Sequence, residues 1–282
     1  MSETTELIAD QLSLGNSGYW VGCFKDYKLE SHFQPIARFD NGKAAVEGYE
    51  ALIRPFKNNT PVSPFAFFND VTDGDRFFVD WLCRALHLRN FAKLNRLDKK
   101  LYLNLDPAAY ANPEQSRSQI SIMKERAEKI GLNPEMLVCE IVESTSLKDQ
   151  TLYTVIDEFR AIGSRIAIDD FGAESSNFDR LLRMQPHIVK IDRSLLARSR
   201  HAPQLRSLYA NIAALLHDLG IPFASEGIED ADDLRFIHDL GATYGQGFFL
   251  ARPTTTPADD PTYLNVWQEA LISRPEETAI SA

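Results

Sequence analysis

The 282-residue chain reads as an α/β protein. Apolar runs of strand length alternate with amphipathic stretches of helix length, and glycines close the helical stretches at Gly131, Gly163, Gly220 and Gly241. About eight strands fit this length, which suits a barrel of ~250 residues closed on itself. The first two strands form a hairpin, so one strand runs against the others.

"SHFQPIARF" reads as the first strand and "AAVEGYEALIR" as its return, with Asp40, Asn41 and Gly42 as a tight turn between them. A helical pattern covers Asp75 to Leu94. "KLYLNL" is a strand, followed by a helix over 113–131. "EMLVCEI" is a strand, and "LKDQTLYTVIDEFRAIG" a helix. "SRIAIDD" is a strand, and a helix runs from about Asn177 to Met184. "HIVKI" precedes the helix "LRSLYANIAALLHDLG", and "IPFASEG" precedes "DADDLRFIHDLG". A short strand at Thr243 to Gln246 completes the series, and "YLNVWQEALI" adds a last helix before a polar tail. The predicted fold class is a TIM-like (β/α)8 barrel with one antiparallel strand. A doubly wound open sheet is the alternative, but the first strand-to-helix turns lack its glycine fingerprint. The expected organisation is an N-terminal extension over 1–30, the barrel over 31–256, and a C-terminal helix and tail over 257–282.

Charge and cysteine usage narrow the function. Forty acidic residues against thirty basic ones give a net charge of −10, which argues against duplex nucleic acid as a partner. A small anionic ligand fits if metal ions supply local positive charge. Cys23, Cys83 and Cys139 match no zinc spacing or disulfide framework, and the last two sit in apolar surroundings as inert core thiols. The polar start "MSETTELIAD" shows no secretory signal, and no apolar run reaches the ~18 residues of a membrane span. A cytoplasmic protein without membrane insertion is expected.

Strand parity locates a candidate site. Ile166 and Ile168 share a face that packs on helices, so Ala167 and Asp169 point inward. The same alternation sends Glu50, Asn104, Glu140, Lys190, Glu226 and Gln246 inward. Phe171 and Gly172 end the strand, and a bend there turns Asp170 over the mouth beside Asp169. Alone, a DD pair is most often a solvated turn, Asn104 a turn cap and Lys190 a snorkelling side chain. Their shared parity outweighs those readings. Several carboxylates cannot share one cavity as bare anions. Hard cations resolve the conflict, since Mg²⁺ and Mn²⁺ favour carboxylate and amide oxygens. Two ions about 3.5–4 Å apart, bridged by Asp169 with Asp170 on the second ion, account for the adjacent pair. Glu143 reads either as a helix-start carboxylate or as a support for the loop after Asp170, and Glu229 as a helix-start carboxylate.

"GYEALIR" contains Glu50-Ala51-Leu52, and with "FQPI", "LNL", "EIVES", "IAIDDFG", "VKIDRSLL", "ASEGIE" and "YGQGFFLARP" the chain resembles the EAL-domain family of cyclic di-GMP phosphodiesterases. The likeness runs from about residue 30 to 254 in the family's order. It implies a barrel with one antiparallel strand. It also implies metal ligands at Glu50, Asn104, Glu140, Asp169 and Asp170 for two divalent cations, Mg²⁺ or Mn²⁺. Lys190 then orients or activates water, Glu226 is the essential glutamate, and Gln246 holds the metal–water network. Gln34 and Arg54 match nucleotide-contacting positions, Asp192 is a lesser contact, and Glu143 supports the loop. The implied reaction opens cyclic di-GMP to linear 5′-pGpG.

The chain departs from the family after "DDFG". Ala173-Glu174-Ser175-Ser176-Asn177 stands where a small residue, Gly, Tyr, Ser and Ser are usual. A left-handed residue at Glu174 would be strained, and its charge adds to an acidic site. Reduced activity follows from that reading, and a receptor that binds cyclic di-GMP or a protein without cutting is the alternative. Asp106, Pro55 and Ser225 also replace more usual residues. Family members often pair through helices near the loop after Asp170, so a homodimer is expected.

Overall fold

The computed structural model describes residues 3–40, 43–110, 112–142, 149–173, 178–258 and 260–272. Helix α1 (Glu3–Asp10) leads into the hairpin β1 (Leu12–Leu14) and β2 (Trp20–Phe24). That hairpin adds antiparallel to the start of β3 (Tyr27–Asp40). β3 pairs with β4 (Lys43–Lys57) from Tyr27↔Lys57 to Asp40↔Lys43, so the predicted initial hairpin is present. Asn41 and Gly42 of the expected turn lie outside the described residues. A bulge at Glu47 shifts the register between Ile36↔Gly48 and Ala37↔Val46. Beyond the short edge strand β5 (Thr60–Pro61) follow α2 (Pro64–Asn69), whose N-cap is the Ser63 hydroxyl, and α3 (Arg76–Leu94).

Strand–helix alternation then takes over. The chain runs through β6 (Lys100–Leu105), α4 (Pro113–Lys129), β7 (Leu137–Val142), α5 (Asp149–Ala161), β8 (Arg165–Phe171), α6 (Phe178–Met184) and β9 (Ile188–Ile191). It continues through α7 (Arg193–Ser199), α8 (Pro203–Asp218), β10 (Phe223–Ser225), α9 (Ala231–Asp239), β11 (Tyr244–Gly245) and α10 (Asp260–Ile272). The predicted stop glycines all have positive φ, from +67° at Gly220 to +93° at Gly163.

The sheet closes because β3 pairs with both β4 and β11. Eight strands form the ring: β3, β4, β6, β7, β8, β9, β10 and β11. β3 is antiparallel to both neighbours and every other ring pairing is parallel. This is the predicted TIM-like (β/α)8 barrel with one reversed strand. Alternation divides the strands as expected: Leu101, Leu103, Leu137, Cys139, Ile141, Ile166, Ile168, Val189 and Ile191 belong to the outer core under the helices. Ile36, Tyr102, Val138, Ala167, Ile188, Ala224 and Tyr244 form a separate cluster inside the barrel. Each fully buried Leu, Ile or Phe contributes roughly 1.5–3 kcal/mol. Gly48 serves that interior, because a Cβ there would meet the Lys100 carbonyl oxygen at 2.5 Å and the Tyr102 ring at 3.0 Å.

The short elements not legible in advance are α1, the β1–β2 hairpin, β5, α2 and the seven-residue α7. Among the described residues, no helix is long and apolar enough to cross a membrane.

Candidate active site

Two residues beyond each apolar interior position, the same face of the strand turns polar. Gly48 is followed by Glu50, Tyr102 by Asn104, Val138 by Glu140, Ala167 by Asp169, Ile188 by Lys190, Ala224 by Glu226 and Tyr244 by Gln246. On the reversed β3 the step runs the other way, from Ile36 back to Gln34. The polar residues therefore gather at one end of the barrel, above an apolar floor.

At Asp170 the backbone leaves the strand pattern. Its φ is +56°, and pairing of β8 with β9 is irregular between Ile168 and Phe171. A left-handed non-glycine residue is strained, and Asp tolerates it better than most. The extra residue lets both Ile168 and Phe171 reach the outer core while Asp169 and Asp170 both face the cavity. The anticipated bend is thus a local bulge.

The cavity at this mouth has a volume of about 290 Å³. Gln34, Glu50, Asp169, Asp170, Asp192, Glu226 and Gln246 line it. Glu140 and Lys190 lie at its buried base, with 0% and 1% of their surfaces exposed. The Lys190 Nζ is 2.6 Å from Glu226, 2.8 Å from Glu140, 3.1 Å from Asp169 and 3.7 Å from Glu50. Gln246 donates from Nε2 to Glu50 at 2.7 Å and to Gln34 at 3.1 Å, and Gln34 donates to the Ala251 carbonyl at 3.0 Å. Asn104 donates to Glu50 Oε1 at 3.0 Å.

Burial and crowding set the electrostatics. Burial pushes Glu140 well above the usual carboxylate range, opposed by Lys190. Burial likewise raises Asp169, and it lifts Glu226 to about 8. Asp170 rises to about 6 through burial and then the charges of Asp169 and Asp192. Burial alone would lower the Lys190 ammonium, but Asp169, Glu140, Glu226 and Glu50 outweigh it and hold the proton firmly.

One ammonium does not balance five carboxylates. Among the described residues, every salt bridge to Glu50, Glu140, Asp169 and Glu226 comes from Lys190. Both buried oxygens of Glu140, Asp169 Oδ1 and Gln246 Oε1 accept no well-aligned hydrogen bond. One oxygen each from Asp169, Asp170 and Glu226 lies within 4.8 Å of the others. These hard oxygen donors in a net acidic pocket fit divalent cations.

Not every predicted residue shares this cavity. Arg54 and Asn104 line an adjoining one, also about 290 Å³, joined to the first through Glu50 and Leu52. Arg54 is half-buried, its guanidinium donates to the Ile53 carbonyl at 2.9 Å, and burial lowers its pKa. Asp192 caps α7 by accepting from the Ser194 N–H at 2.9 Å. Glu143 and the 174–177 segment lie outside the described residues. Glu229 reaches the mouth but pairs with Arg200 at 2.7 Å, and Asp230 is the N-cap of α9.

Sequence reasoning also missed a buried pair behind Asn104. Arg84 and Asp80, four residues apart on α3, are 2% and 8% exposed and lie 3.1 Å apart. Arg84 donates to the Asn104 carbonyl at 3.2 Å, and Asp80 accepts from the Asp106 N–H at 3.3 Å and the Tyr110 hydroxyl at 3.0 Å. Opposite charges four apart inside the apolar run "VDWLCRALHL" were the available signal.

With this geometry in place, comparison with known proteins settles the family. The EAL domain profile matches residues 23–253, and the chain belongs to the EAL-domain family. The cyclic di-GMP phosphodiesterase RocR of Pseudomonas aeruginosa is 26% identical over 234 residues, covering 80% of this chain and 57% of RocR. BlrP1 of Klebsiella pneumoniae, solved as a calcium and cyclic di-GMP complex, superposes with a TM-score of 0.73 at 26% identity, covering 82% of this chain and 57% of BlrP1. A standalone EAL protein of Vibrio cholerae O395 in its cyclic di-GMP-bound form has the same TM-score and identity, covering 85% of this chain and 99% of that one. Several curated relatives are much longer, and the chain spans only 28% of the first of them.

Proposed function

We propose that the chain hydrolyses cyclic di-GMP to linear 5′-pGpG with two divalent cations, Mg²⁺ or Mn²⁺, as a cytoplasmic enzyme that pairs as a homodimer. The observation that carries this reading is the convergence of five carboxylates and one buried lysine at the barrel mouth. Family membership and the nucleotide-bound relatives support it.

Glu50, Asn104, Glu140, Asp169 and Asp170 would hold the cations, with Glu226 beside them. When bound, the cations neutralise phosphodiester charge and acidify water. Lys190, fixed by its carboxylate neighbours, donates to and orients the attacking water. Glu226, 2.6 Å from that ammonium, would accept a proton from the same water. The water oxygen bonds to phosphorus, the P–O3′ bond breaks, and the O3′ alkoxide takes a proton from solvent, while Glu226 later returns the proton it accepted to solvent. Gln246 and Gln34 hold Glu50 in place, and Arg54 in the adjoining cavity offers a fork to a phosphate oxygen.

Incubation of the purified chain with cyclic di-GMP and Mn²⁺ or Mg²⁺, followed by chromatography, tests this. Formation of pGpG is expected, with none after chelation. Binding without pGpG would replace hydrolysis by a receptor role, and no binding would point to a protein-interaction role.

A further inference from the structure

The Glu226 loop is held from a direction the proposed chemistry does not use. Glu226 follows β10 and enters an irregular segment that ends at the α9 cap, Asp230. Its inner side is fixed by backbone bonds: Glu226 N–H to Ile191 O at 3.1 Å and Ile228 N–H to Gln246 O at 3.1 Å. Its outer side rests on two charged residues. Arg200 donates from Nε to Asp233 Oδ1 at 2.9 Å and from Nη2 to Asp233 Oδ2 at 2.6 Å. The same guanidinium reaches Glu229 at 2.7 Å and the Gly227 carbonyl at 3.3 Å. Asp233, 4% exposed, accepts in turn from the Glu229 N–H at 2.9 Å.

We infer that the Arg200–Asp233 fork is a positioning clamp for Glu226. A bidentate guanidinium–carboxylate pair fixes direction as well as distance. Arg200 caps the C-terminus of α7, and Asp192 caps its N-terminus directly after Lys190 and Ile191. One seven-residue helix, about 10 Å long, thus links the strand bearing Lys190 to the loop bearing Glu226. The loop passes close to that helix: a Cβ at Gly227, whose φ is +72°, would meet Arg193 Cβ at 2.4 Å. A site assembled from separate strands depends on such outer contacts for its alignment.

The inference rests on the assignment of Glu226 to the site, and the test separates the two. Arg200→Ala, Arg200→Lys and Arg206→Ala are compared with the unaltered chain. Arg206 stacks on Phe236 at 3.7 Å from the ring centre, and it shares a large groove with Arg200. Arg200→Ala is expected to speed amide exchange in the segment 226–229 and to weaken Mn²⁺ binding about tenfold. Its kcat should fall by a similar factor with KM unchanged, and millimolar guanidinium should restore part of it. Arg200→Lys, with a charge but no fork, falls between, and Arg206→Ala matches the unaltered chain. Loop exchange and Mn²⁺ affinity left unchanged by Arg200→Ala would overturn the clamp, as would equal effects of Arg206→Ala. If the unaltered chain turns nothing over, hydrolysis fails while exchange and Mn²⁺ affinity still decide the clamp.

Discussion

The two ends of the barrel treat charge in opposite ways. At the base, Lys100 pairs with Glu47 at 2.5 Å, Arg38 stands 4.0 Å from the same carboxylate, and the Lys100 ammonium lies over the Tyr244 ring. At the mouth, Lys190 faces four carboxylates, with Asp170 beyond them. The base has its partners inside the chain; at the mouth, among the described residues, the carboxylates outnumber the cations Lys190 and Arg193 that share the cavity. Buried charge without compensation is costly. Its concentration at one end makes that end the better fit for a cation.

The largest effect should separate the ends by activity. On the proposed function, Asp169→Ala or Glu50→Ala should remove several kcal/mol of transition-state stabilisation, and turnover of cyclic di-GMP should fall more than about 1,000-fold. Glu47→Gln should leave turnover within about twofold. Similar losses from all three would erase the distinction.

Stability should separate them the other way. Lys100→Met leaves the partly buried Glu47 carboxylate to Arg38 at 4.0 Å and should cost about 2–3 kcal/mol in denaturant unfolding, with Mn²⁺ affinity unchanged. A fall in Mn²⁺ affinity would mean that base and mouth are coupled. Mn²⁺ at 100 times its Kd should in turn stabilise the chain by about 2.7 kcal/mol. Thermal unfolding should show that gain, and Asp169→Ala should lack most of it.

The smallest effect is a pH dependence. A carboxyl raised by folding favours the fold below its usual pKa and loses that contribution as pH climbs through the raised value. For the metal-free chain the windows run from 3.8 to about 6 for Asp170 and from 4.5 to about 8 for Glu226. Cations compete with those protons, so Mn²⁺ affinity should rise between pH 6 and 8, by at most about tenfold per pH unit for each proton released. Calorimetry in buffers of different ionisation enthalpy measures that release. An affinity flat with pH would show that neither acid binds the ion.

Much of this contrast could be read from strand alternation. Val138 with Glu140 and Ala167 with Asp169 sit in strands whose other face is uniformly apolar, so side-chain direction follows from period two. Less could be read where local geometry departs from the repeat. Asp170 has outward parity, and only its left-handed backbone brings it into the cavity. The β2–β3 turn uses Lys25 at φ +50° with no Gly or Asn to announce it. Asp80 and Arg84 pass for ordinary polar interruptions of a helix until the fold buries them. Arg200 and Asp233 are 33 residues apart, and nothing local links them.

The reversed first strand of the barrel has a practical corollary. Because β3 runs downward from the mouth, the β2–β3 turn stands on the same side as the acidic cavity. Cys23 is exposed on that hairpin, whereas Cys83 and Cys139 are buried with thiols held protonated. A maleimide dye would therefore attach at one place, giving the natural chain a ready-made optical handle on the side of the barrel that holds its opening.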